Sequence, residues 1–240
     1  RAHARRDFTN VSASAAVFWR PQEAWFLGLS LARNRRAPTE FELFADGPHA
    51  GTGGYEVGDP TLSSEAASSV EGTVRWTGGA ARLEVHLYAT RYRGFIDAAS
   101  TGARANEDGG FAPDGGSPVL RFVQADARFH GGEVEGSYAI WRDGERSLVL
   151  EAAADVVRGT TDAGPAARIP PPSVTGRVVW AGPRLKAHLE VRRVAEQARA
   201  APLELPTDGY TLVNAQVTVT PLVGRDLRLF LDARNLTNVE

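Results

Sequence analysis

The histidine best placed for metal chemistry is His49, which shares a Gly-rich stretch with Asp46, Glu56 and Asp59. Imidazole and carboxylate oxygens suit zinc and other borderline or hard divalent ions, so one reading is a surface metal-capture site. The other is a loop histidine that makes a structural hydrogen bond. His86, His130 and His188 stand in alternating segments among Arg82, Glu84, Asp126, Arg128 and Glu190, the company of a hydrated charge network on a wet strand face; His3 completes the set. Catalytic constellations are missing from the text: there is no Cys, no GxSxG elbow, no HExxH and no P-loop. "GTGG" at 51–54 lacks the Lys and helix of a phosphate cradle and reads as a mobile loop. The expectation is a protein that is not an enzyme and that carries no cofactor.

These residues must be held by strands. Outside the Gly/Pro-rich stretches nearly every segment alternates apolar and polar positions, the period of a strand with one greasy and one wet face. Ten strands are expected, at about 8–19, 24–34, 64–77, 81–97, 118–141, 146–159, 173–181, 184–196, 209–220 and 226–236, and no helix. In 184–196, Leu185, Ala187, Leu189 and Val191 oppose Lys186, His188, Glu190 and Arg192. In 209–220, Val213, Ala215, Val217 and Val219 oppose Asn214, Gln216, Thr218 and Thr220.

One strand changes phase. In "FVQADARFHGGEVEGSYAIW" the apolar set begins on Val123, Ala125, Ala127 and Phe129 and continues on Val134, Gly136, Tyr138 and Ile140. A β-bulge at Gly131-Gly132 would flip the parity, and a hairpin turn there is the alternative. The bulge fits better, because a turn would spoil the order of connections described next.

Short turns ("RPQE", "TGGA", "RDGE", "AGP", "PLVGRD") alternate with long loops at 35–63, 98–117, 160–172 and 197–208. Short turns on one rim and long loops on the other are the layout of an outer-membrane β-barrel. Trp19, Trp25, Trp76, Trp141 and Trp180 all fall beside the short turns. Collected at one end, they read as an interface girdle, where an indole is shielded from water while its N–H still finds a partner. Core tryptophans of a sandwich would be scattered along strand centres.

Composition narrows the classes. The 240-residue chain carries a formal charge of -2 with a pI near 6.3, which gives no electrostatic reason for nucleic-acid binding. Zero Cys excludes disulfides and thiolate chemistry. No stretch approaches the ~18 apolar residues of a spanning helix, which excludes helical spanning only.

The residues "RAPTEFELFADGPHAGTGGYEVGDPTLSSEAASSVE", "FVQADARFHGGEVEGSYAIW", "ARIPPPSV", "LELPTDGYTLVNAQV" and "DARNLTN" resemble the barrel domain of TonB-dependent outer-membrane receptors, in this order and over essentially the whole chain. "GPHAGTG" is most similar to the branch that contains zinc-uptake receptors. The resemblance implies an all-β, antiparallel transmembrane β-barrel of 22 strands with a plugged lumen, of which residues 1–240 would supply about ten. On that reading the plug domain and the earlier strands are absent and the last strand is missing beyond "NLTNVE".

It further implies energy-dependent uptake of a scarce ligand, such as a metal ion or metal chelate, across the outer membrane of a Gram-negative bacterium. The implied partners are outer-membrane lipid, the receptor's own plug, the TonB-ExbB-ExbD energy-coupling system and a small ligand. Ligand contacts are expected in the longest loop, from Arg36, Glu40, Asp46, His49, Tyr55, Glu56 and Asp59, with His49 as the candidate metal ligand. A soluble extracellular β-sandwich binding module is the alternative from a different class.

Overall fold

A computed structural model of the chain describes residues 5–112, 114–221 and 227–239, so that His3 and most of the "PLVGRD" turn lie outside the described residues. The elements in chain order are β1 (Ala13–Trp19), β2 (Trp25–Arg36), α1 (Glu40–Phe44), β3 (Asp46–His49), β4 (Gly54–Val57), β5 (Glu65–Gly78), β6 (Ala81–Ala105), β7 (Ser117–Asp143), β8 (Arg146–Thr161), β9 (Gly164–Pro165), β10 (Ser173–Ala181), β11 (Leu185–Val194), β12 (Tyr210–Val219) and β13 (Leu229–Ala233). Ten of them form one antiparallel meander, β1-β2-β5-β6-β7-β8-β10-β11-β12-β13. These are the ten strands that the alternation marks out. Three short strands lie off this path: β3 pairs β4, β4 adds parallel to β7, and β9 pairs β8.

All thirteen strands belong to one sheet, so the two-layer sandwich does not form. Burial agrees. Among the described residues no large side chain is fully buried, while Leu29, Leu31, Leu87, Val178 and Leu189 are all exposed. A soluble fold would hide such a face; a barrel leaves it for lipid. The path is open, with β1 and β13 each paired on one side.

Register sorts the faces. Arg177 of β10 lies opposite Glu151 of β8 and Glu190 of β11, and Glu190 opposite Asn214 of β12. One residue along, Val178, Leu150, Leu189 and Ala215 form the corresponding apolar row. Inner and outer are used below for the charged and the apolar face.

The expected bulge at Gly131-Gly132 is absent. β7 pairs β6 and β8 without a register shift there, with Gly131 opposite Tyr88 and Val157, and Gly132 opposite Leu87 and Val156. The two glycines answer a different need. A Cβ on Gly131 would stand 2.5 Å from the Val156 carbonyl oxygen, and one on Gly132 would stand 2.6 Å from a Leu87 methyl. Register shifts lie elsewhere. One is in β6, where Arg93 and Gly94 share the space opposite Asp126 and Gly94 has φ +63°; a second is further along β6, between Ser100 and Arg104; a third is in β7 at Ile140.

Without a flip at the glycines, Phe129 faces inward, where it meets Tyr92 and Phe95 at 5.6 Å each. His130, Arg128 and Asp126 then face outward, not into the wet face as the alternation suggested. The phase change therefore marks the height at which the two faces exchange character.

β6 and β7 are longer than expected, and the loop between them shrinks from 98–117 to residues 106–116. β1 begins at Ala13 instead of residue 8. The helix α1, the one helix among the described residues, was not expected; Thr39 caps it through a capping box with Glu42.

Candidate functional site

The segment after β2 folds as a packed unit. The Arg36 guanidinium donates to both Glu42 carboxylate oxygens, at 2.8 and 3.0 Å, and to Glu65 at 3.0 Å. Glu65 also accepts from the Ile96 N–H at 3.0 Å. Arg36 thus joins the end of β2 to α1, β5 and, through Glu65, β6. Its two carboxylate partners raise its already high pKa further. Partial burial pushes the Glu42 carboxyl up, but hydrogen bonds from Arg36 and the Thr39 N–H outweigh this and hold it below the usual carboxylate range. Beneath α1, Leu43, Leu62 and Ile96 form the small buried core, with Phe8 and Phe122 against it. Phe41 packs edge-on against Phe122 at 5.9 Å and tilts over the His49 ring at 5.3 Å.

The "GTGG" stretch, expected as a mobile loop, is the hydrogen-bonded tip of the β3–β4 hairpin. Thr52 and Gly53 N–H groups donate to the His49 carbonyl at 3.3 and 2.9 Å, and Gly53 takes φ +64°, which glycine tolerates at no steric cost. The Tyr55 hydroxyl donates to Asp46 at 2.8 Å; that bond, with burial and the Asp46 charge, pushes the phenol pKa up. Glu56 is 2% exposed and accepts from the Thr52 hydroxyl at 2.7 Å, with His49 Nδ1 at 3.5 Å. Asp59 accepts from the N–H and hydroxyl of Thr61, which hold it below the usual carboxylate range. Glu40 is exposed in the first turn of α1.

Of the seven residues expected to meet a ligand, the structure thus brings together Asp46 with Tyr55 and His49 with Glu56. Arg36 and Asp59 are engaged elsewhere in the loop. Among the described residues no three His, Asp or Glu side chains are grouped to hold a metal ion. His49 has one carboxylate beside it.

Among the hydrogen-bonded charge networks of the inner face, two are extensive. In one, Glu84 gathers Arg75 at 2.7 Å, Arg82 at 3.1 Å and the His86 ring at 2.7 Å, and His86 also meets Thr73 at 3.0 Å. In the other, Arg177 bridges Glu190 and Glu151, and Asn214 donates to Glu190 at 2.9 Å. Arg82 with Glu84 is a pair the sequence suggested. The pairings of Arg75, Arg177 and Asn214 were missed, because their partners come from neighbouring strands and alternation carries no register. Asp126 does not pair with Arg128; it meets Arg91 at 3.8 Å and the Gly94 N–H at 3.2 Å.

The tryptophans gather at the other rim. Trp25 lies opposite Trp76, with rings 6.3 Å apart, and Trp141 stacks on Trp180 at 5.7 Å and 4°. Trp19 lies opposite Leu27 and is 61% exposed. The extra residue at Ile140 resets the parity of β7, so that Trp141 shares the outer face with Leu148 and Trp180.

Residues 2–236 match the family model "TonB dependent receptor-like, beta-barrel". Solved structures of similar fold include the copper transporter OprC, at 18% identity and a TM-score of 0.78 over 96% of this chain and 34% of that one. The FrpB iron transporter from Neisseria meningitidis (F3-3 variant) follows at 15% identity and 0.63, covering 94% of this chain and 33% of that one. The siderophore receptor PirA from Pseudomonas aeruginosa stands at 16% and 0.63, covering 95% and 39%. The chain therefore spans roughly a third of the length of these structures.

Proposed function

Because the chain belongs to the TonB-dependent receptor β-barrel family, receptors and transporters of the Gram-negative outer membrane, we propose that it is the ligand-capturing part of a barrel that takes up a scarce metal ion or metal chelate. The ten-strand path would be one section of a larger, closed barrel, with residues 1–240 forming part of its wall. Its inner face would line the path and pack against a plug, and the plug would move when TonB-ExbB-ExbD pulls on it. Loop residues 35–63 would make the first contact with ligand.

The observation that carries this reading is the joining of two features in one sheet. Its inner face is charged and hydrogen-bonded, and a packed loop of mixed charge stands at the rim of that face. The chain has 0 Cys and 0 Met, so its own donors are oxygen and imidazole. That set suits a hard or borderline ion, or an anionic chelate, better than a soft ion that needs thiolate or thioether ligands.

The test is accumulation of zinc, ferric chelate and copper by metal-starved cells that carry the intact receptor, against cells whose receptor lacks 46–58. Loss of one ligand's uptake, with the shortened receptor still in the outer membrane, is the expected result. Unchanged uptake of all three would move capture away from this loop.

A further inference from the structure

Seven arginines stand on the outer face at the long-loop end of the sheet: Arg33 and Arg35 on β2, Arg91 and Arg93 on β6, Arg128 on β7, Arg158 on β8 and, further along the sheet, Arg193 on β11. The register aligns them. Arg33 lies opposite Ser68, Ser68 opposite Arg91, and Arg91 opposite Arg128, while Ala66 separates Arg35 from Arg93 in the next row. Arg158 lies opposite His130. All but Arg158 are exposed. Among the described residues the only carboxylate within ion-pair distance of any of them is Asp126, 3.8 Å from Arg91.

Their height is informative. Eight residues separate Trp25 from Arg33 on β2, and eight separate Leu83, opposite Trp76, from Arg91 on β6. Ten separate Leu148, opposite Trp141, from Arg158 on β8. At ~3.3 Å per residue along strands tilted by about 40°, that is a climb of roughly 20–25 Å, the thickness of an outer-membrane barrel's apolar band. Between the two levels the outer face is apolar, with Leu27, Leu29 and Leu31 on β2 and Val85, Leu87 and Ala89 on β6. The tryptophans and the arginines therefore bound one lipid-facing band from opposite sides.

Two guanidinium groups directly opposite across a strand pair, as in Arg91 and Arg128, destabilise an isolated sheet. An anion lying between them reverses the sign, and a phosphate monoester fits because each guanidinium can take two of its oxygens. We propose that this belt binds the phosphate groups of outer-leaflet lipid headgroups, whose acyl chains lie along the leucines and valines just below. The proposal rests on the family's outer-membrane placement and is independent of which ligand is taken up.

The experiment titrates the detergent-purified intact receptor with diphosphoryl lipid A and with monophosphoryl lipid A, bound lipid being read by native mass spectrometry. The wild type should bind the diphosphoryl form more tightly. The triple variant Arg91→Gln/Arg128→Gln/Arg158→Gln should bind it at least tenfold more weakly, and the corresponding triple Lys variant should keep most of the affinity. Should the triple Gln variant fail to show heat-modifiable gel mobility, the single Arg128→Gln change, expected to weaken binding about threefold, reads the same site. Equal binding by wild type and Gln variants would overturn the proposal. So would displacement of the lipid by inorganic phosphate at the same phosphate concentration, which would make the belt a simple anion site.

Discussion

Gly58 lies so close to the backbone of Leu43 that a β-carbon placed on it would be 2.5 Å from the Leu43 carbonyl carbon. The same carbon would be 2.5 Å from the Phe44 nitrogen, so neither atom belongs to a side chain that can swing away. The Gly58 N–H donates to the Ala45 carbonyl at 2.7 Å, which fixes the approach.

Gly58→Ala should therefore lift α1 off the end of the β3–β4 hairpin, at a cost of about 1–3 kcal/mol by overpacking. Gly47→Ala, where an added Cβ would meet nothing within 4 Å, is the matched control. Limited proteolysis of the membrane-embedded receptor should cut residues 37–63 faster in the first variant only. Equal cutting would mean that the loop is not packed as described.

The Arg36–Glu42 contact gives the loop a pH dependence. The folded pKa of Glu42 lies below its unfolded value, so its stabilisation is present above the unfolded carboxylate pKa, about 4.3. It is lost as pH falls through the folded value, while Arg36 stays charged throughout. Protection of the amides around α1, taken relative to their intrinsic exchange rates at each pH, should fall between pH 7 and pH 3, and Glu42→Gln should lose most of that difference. A variant that keeps it in full would place the titrating group elsewhere.

Outer and inner positions should respond oppositely to a new charge. Leu189→Arg and Val217→Arg put a guanidinium against lipid, at ~2–4 kcal/mol each near the midplane. Gln216→Arg and Thr218→Arg put it on the wet face, in register with His188 and Lys186. Outer-membrane levels of the folded receptor should drop for the first pair and hold for the second. Equal loss would dissolve the face assignment.

The open strand path makes a prediction for the 240-residue chain alone. β1 and β13 each present an unpaired edge, and in lipid each unsatisfied N–H or C=O costs several kcal/mol. Refolded into lipid without the rest of a barrel, the chain should give no uniform conductance and no protease-resistant, heat-modifiable species. A stable pore of defined conductance would show that the two edges can close on each other.

The strand order was legible because lipid on one side and water on the other impose period 2 on ten successive segments, as the ends of β10 at Ser173 and Ala181 illustrate. That signal fades where both surroundings are wet. The alternation therefore lost the last part of β6, up to Ala105, and mistook the change of surroundings near Gly131 for a bulge. The bulge at Arg93-Gly94 lies in a stretch with no apolar pattern to interrupt. Within residues 35–63 the residue types were readable, but not their partners. Nothing in the spacing of Tyr55 and Asp46, or of Arg36 and Glu65, says that two turns of chain bring them together.

β4 is the exception to a path in which each strand of the meander pairs with its neighbour in sequence. It passes over β5 and β6 to lie along the edge of β7 that β8 leaves free above Thr161. Its seat does not exist until β6 and β7 have paired, so its closure spans about sixty residues where the hairpins close over a few. This part of the rim loop therefore acquires its structure only after the β6–β7 hairpin on which it rests. Slow exchange of the Tyr55 to Val57 amides would mark a molecule in which that hairpin is already in place.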